Sequence, residues 1–131
     1  MARQYQPLSE SGSKMKKRLS PCIEKALLLE ELREERSDIA CLGFPEEQEL
    51  SEKIDREFAL LAEFRKEVAR LIHETAALTS LERRILRLRY LCAEPWDAIC
   101  VRLCRERGCV FASYRRALNK LAQTEDMDKA G

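Results

Sequence analysis

A chain of 131 residues and 15.2 kDa has room for one domain, or for one small domain with an appendage. It is 45% hydrophobic and 36% charged with only four Gly and four Pro, which excludes a β-sandwich or a disordered chain and predicts an all-α protein of long, solvated helices. Its 24 Lys and Arg nearly cancel 23 Asp and Glu, but unevenly: residues 80–123 hold ten basic groups against four acidic ones, in a segment the size of a small DNA-binding unit.

Residues 1–14 mix Pro, Ser, Gly and Gln without periodicity and are predicted to be a flexible tail. From Met15 to Ala40 the pattern becomes helical, with Leu19, Ile23, Ala26, Leu29 and Leu32 near one face. Gly43 and Pro45 end that helix, the first as a C-terminal cap and the second by forbidding continuation. A longer helix is predicted from Glu46 to Ala77, carried by Leu50, Ile54, Phe58, Leu61, Val68 and Ile72 at coiled-coil spacing, with Arg65 interrupting the seam. Joined by a short turn, the two make an antiparallel helical hairpin over residues 15–77. Neither helix buries its stripe alone, so they are expected to pack on each other, with a homodimer through the hairpin as an open option.

Thr79 with Glu82 three residues later is a capping box, and it starts a new helix in which Ile85, Leu88, Tyr90 and Leu91 form the apolar side. Pro95 opens the next, with Trp96, Ile99, Cys100 and Leu103 on one face. A last helix is predicted from about Arg107 to Gln123, with Val110, Tyr114, Ala117, Leu118 and Leu121 inward. Residues 78–123 therefore read as a tri-helical unit packed around one Trp, and 124–131 as an acidic tail.

A helix-turn-helix requires a small residue at position five of its first helix, a turn at nine and an apolar plug at fifteen. With Trp96 as the first position, Ile99 is fourth, Cys100 fifth, Leu103 eighth, Cys104 ninth and Val110 fifteenth. Ile85, Leu88, Trp96, Ile99, Cys100, Leu103, Val110 and Leu118 are the expected core of this unit. Cys104 stands where Gly is usual, because the turn residue adopts φ > 0.

The run Leu78-Thr79-x-x-Glu82-Arg83-Arg84-Ile85-Leu86-Arg87-Leu88-Arg89-Tyr90-Leu91, followed by Trp96-Asp97-x-Ile99 and by Tyr114-Arg115-Arg116-Ala117-Leu118-x-Lys120-Leu121, resembles region 4 of sigma-70-type factors. The likeness is to phage and prophage sigma-like proteins, which place a helical hairpin before that unit. It is detailed over residues 78–123 and looser over 19–77. The family's usual Gly-Tyr-Ser is replaced here by Cys104-Arg105-Glu106, and its usual apolar residue by Ser113.

The resemblance implies a sequence-specific transcriptional regulator whose last helix enters the major groove, with RNA polymerase as a further partner. Arg107, Gly108, Phe111, Ala112 and Arg115 are the implied base contacts. Spacing agrees for Arg107, Phe111 and Arg115, which share a stripe expected to face outward. Arg reads guanine through two parallel bonds and Phe touches a thymine methyl, whereas Arg83, Arg84, Arg87 and Arg116 suit phosphates.

Plainer readings stand beside these. An Arg-rich helix is often only a solvated face, and Trp96 is more naturally a core anchor than a partner contact. Cys100 and Cys104 lie four apart on a helix, but without a C-x-x-C pair, and with His73 distant, buried thiols acting as small hydrophobes explain the six cysteines better than zinc. Neither a nucleophile with its base nor a phosphate loop is recognisable, so no catalysis, metal or cofactor is expected. Without a leader or an apolar run of membrane length, the expected compartment is the cytoplasm. The alternative to a DNA-binding regulator is a helical protein-interaction module whose degenerate helix-turn-helix no longer reads DNA, favoured by Phe111 and Val101 if both are exposed.

Overall fold

The computed structural model describes residues 7–130, with side chains as far as residue 125, and those residues form helices and connecting turns without a strand. In chain order the helices are α1 (Glu10–Leu19), α2 (Pro21–Leu42), α3 (Glu47–Glu74), α4 (Ser80–Leu86), which widens into a π-helical turn (Arg87–Leu91), α5 (Trp96–Leu103) and α6 (Arg107–Ala130).

The expected N-terminal tail is corrected from residue 7 onward; residues 1–6 lie outside the described part. Ser9 caps α1 by accepting the Gly12 N–H at 2.9 Å, and its own N–H and hydroxyl donate to Asn119 Oδ1 of α6 at 2.9 and 2.8 Å. Gly12 is buried against the same side chain, and a Cβ there would collide with Asn119 Oδ1. Gly12 thus lets α1 approach α6 closely, while Met15 and Leu19 enter the core.

A single helix over residues 15–40 is also corrected. The helix breaks at Ser20, whose N–H still reaches Lys16 O at 3.1 Å, and Pro21 then starts α2. Proline has no N–H to donate and is tolerated only in a first turn, so the chain restarts there. α2 ends at Gly43, which adopts φ 72°, and α3 folds back along it.

Leu29 and Leu32 of α2 meet Ile54 and Leu61 of α3 in a small buried cluster, flanked by a Lys25–Glu57 ion pair at 3.1 Å. Phe58 leaves the expected seam: it is 49% exposed, with the Arg33 guanidinium 5.7 Å from its ring centre. Ile54, Leu61 and Val68 recur every seven residues and own the seam; Phe58, a step of four from Ile54, lies on its flank.

The main core does not stop at residue 78. Cys22 of α2 and Val68 and Ile72 of α3 pack in one cluster with Ile85, Tyr90, Ile99, Val110 and Leu118. The expected division at 77/78 is therefore not a division of cores. α4, α5 and α6 leave one apolar side open, and Met15 and Leu19 of α1, Cys22 of α2 and Val68 and Ile72 of α3 close it. The expected acidic tail is helical too, since α6 runs on to Ala130 and Glu125 pairs with Arg18 of α1.

Candidate nucleic-acid interface

Thr79 and Glu82 form the capping box in full: Glu82 N–H donates to Thr79 Oγ1 at 3.1 Å, and Thr79 N–H to Glu82 Oε1 at 2.8 Å. Glu82 is only 1% exposed, and Lys120 Nζ of α6 donates to the same Oε1 at 2.6 Å, with Arg116 Nε 3.9 Å from Oε2. Burial opposes its ionisation, but the Lys120 ammonium and the Thr79 groups outweigh it and hold the carboxyl below its ordinary 4.5. One acid thus starts α4 and fastens it to α6.

Two of the expected phosphate ligands have partners within the protein. Arg83 is half-buried and donates to Thr75 O at the end of α3 at 3.1 Å. Arg116 bonds Ser113 Oγ at 3.0 Å and leans on Glu82. Arg84 and Arg87 stand exposed on the other side of α4, away from the buried Ile85 and Leu86.

The π-helical turn follows. Its wider winding sends Tyr90 into the core, where its hydroxyl shares a hydrogen bond with Tyr114 of α6, and lays Arg89 over Trp96, 4.8 Å from the ring centre. Burial pushes both phenols above their ordinary range, so they stay protonated. Arg89 also donates to Glu94 O at 3.0 Å, fixing a bend in which Ala93 has φ 52°.

α5 and α6 meet at the joint the spacing marks. Cys104 is left-handed, with φ 52° and ψ 44°, and Ile99 and Val110 are completely buried on either side. A non-glycine residue in this conformation is strained, and Cys104→Gly is expected to stabilise the protein by about 1 kcal/mol in urea titration. An unchanged or lower midpoint would show that the thiol, 3.7 Å from Val101 O, compensates.

Of the expected core, Ile85, Leu88, Ile99, Val110 and Leu118 are buried, while Trp96, Cys100 and Leu103 are half-buried at its edge. Ser113, in place of an apolar residue, is buried and accepts from Arg116.

Comparison with protein-family models, curated proteins and solved structures finds no match. The geometry therefore stands on its own.

Arg107 and Gly108 are exposed at the start of α6, Arg107 lying 3.5 Å from Asp97 and its guanidinium 5.7 Å from the Phe111 ring centre. Phe111 does not face outward as expected. Its ring is 4.7 Å from that of Trp96, which Tyr114 meets edge-on at 4.6 Å, because a Trp only half covered by its own helix gains by stacking on the next. Ala112 and Arg115 are half-buried. Arg102, Arg105 and Arg107 are exposed around this turn, Arg102 lying 3.4 Å from Glu94, and helical spacing does not single out Arg105 because it precedes α6. Its signal was available: it directly follows the residue that needs φ > 0.

Proposed function

We propose that the protein binds double-stranded DNA as a transcriptional regulator of phage or prophage type, through a sigma region-4-like helix-turn-helix made of α5, the turn and α6. One observation carries this reading: the left-handed joint at Cys104, sealed by Ile99 and Val110, with Arg105, Arg107 and Gly108 exposed at the start of α6. That geometry supports insertion of the α6 N-terminus into a major groove, with Arg107 the principal base reader. Arg84 and Arg87 would add phosphate contacts, and RNA polymerase would be a protein partner in the cytoplasm. The role is binding, not catalysis.

Anisotropy titration against mixed genomic fragments tests it. Affinity should fall steeply with salt, and a subset of fragments should survive higher salt. Arg105→Glu with Arg107→Glu should weaken binding by at least about a hundredfold at an unchanged circular dichroism spectrum. Absence of binding at about 50 mM salt would overturn the assignment. It would favour the second reading, a protein-interaction module, for which Val101, 78% exposed on α5, is the supporting observation.

A further inference from the structure

Arg107, the first residue of α6, is a cation at a helix N-terminus, where the helix dipole disfavours it, and α6 has no acidic residue in its first turn to compensate. The compensating charge comes from α5: Asp97 Oδ1 lies 3.5 Å from Arg107 Nη2. Phe111, one turn further along α6, places its ring centre 5.7 Å from the guanidinium, and that ring is itself stacked on Trp96, the residue before Asp97. Both supports are thus tied to the first turn of α5. The Arg107 and Asp97 side chains are 63% and 87% exposed, so their pairing adds little to the stability of the fold. What it does is hold a long side chain of many rotamers in one direction.

We infer that Asp97 is a positioning residue for Arg107 and sets its selectivity for guanine. The inference rests on the DNA-binding reading above and adds to it a residue of α5. A guanidinium carries five N–H donors in a rigid fork; with one nitrogen turned to Asp97, a parallel pair remains for guanine O6 and N7. Holding the fork before contact removes part of the ordering cost of reading a base. The same carboxylate repels phosphate, so it lowers affinity for DNA in general while favouring the right base. Asp97 therefore has a signature that a merely structural role does not share: its loss weakens discrimination and leaves non-specific binding equal or stronger.

The test uses the intact protein and a fragment that it holds at higher salt. Each guanine of that fragment is replaced in turn by 7-deazaguanine, which lacks the N7 acceptor, and affinity is read by anisotropy. For the wild type, replacement at one guanine should cost about tenfold, and Arg107→Ala should abolish that step. Asp97→Ala should shrink the step to about threefold or less, at equal or higher affinity for an unrelated fragment and an unchanged circular dichroism spectrum. Asp97→Glu, which restores the carboxylate, should recover a larger step than Asp97→Ala. A full step retained in Asp97→Ala, or a uniform loss of affinity for every fragment, would overturn the inference while DNA binding by Arg107 stands. If no fragment binds, or no guanine depends on Arg107, the DNA reading itself fails and the inference falls with it. Should Asp97→Ala lose its fold, Asp97→Asn, equal in shape and without the charge, makes the same comparison.

Discussion

Glu82→Ala is expected to cost about 3 kcal/mol and to lower Tm by roughly 10 °C, the largest effect of any single charged substitution in this protein. The reason is geometric. The carboxylate is buried, accepts the Thr79 N–H at the first turn of α4 and binds Lys120 at 2.6 Å, so its removal undoes a cap and strands an ammonium that lost its partner. Glu82→Gln separates charge from shape. It keeps the acceptor for Thr79 but loses the attraction for Lys120, and should fall between wild type and Glu82→Ala.

The same group sets an acid dependence. Its folded pKa lies below the ordinary 4.5, so the ion contributes fully to stability above that pH and its contribution is lost as pH falls through 4.5 toward the folded value. Urea midpoints measured between neutrality and pH 3 should decline more steeply for wild type than for Glu82→Gln. Identical slopes would mean that another carboxylate carries the acid transition.

Gly12→Leu should destabilise by roughly 3 kcal/mol, in spite of leucine's better helix propensity. Even a Cβ would displace Asn119 Oδ1, which two hydrogen bonds from Ser9 hold in place, and the remaining carbons would lift α1 from α6. Hydrogen exchange should quicken across α1 while the amides around Leu29, Leu32, Ile54 and Leu61 keep their protection, since those residues form a separate cluster. A double-mutant cycle gives the decisive control: with Asn119→Ala making room, Gly12→Ala should cost clearly less than in the wild-type background. Additive costs would place the strain elsewhere.

These two substitutions mark where local pattern stopped being informative. The Gly43 cap, the Thr79–Glu82 box and the left-handed residue at Cys104 were legible because each is a contract among neighbours a few residues apart, enforced by hydrogen bonding and φ/ψ sterics. The all-α class followed from helical periodicity and scarce turn formers, and the burial of Ile99 and Val110 from their spacing. The break at Pro21 was equally local, but an apolar stripe running through it concealed the stop.

What only the tertiary structure decided involves partners far apart in the chain. Ser9 reaches Asn119 across 110 residues and Lys120 reaches Glu82 across 38, and neither pairing leaves a periodic trace. Phe111 looked outward on a helical wheel because a wheel knows one helix; its stacking on Trp96 depends on where α5 crosses α6. Sequence by itself determined the all-α class, the Gly43 cap, the Thr79–Glu82 box and the left-handed turn at Cys104, because those energies are local. Packing decided which arginines are fastened to the protein and which remain at its surface, because burial and pairing are properties of the assembled core.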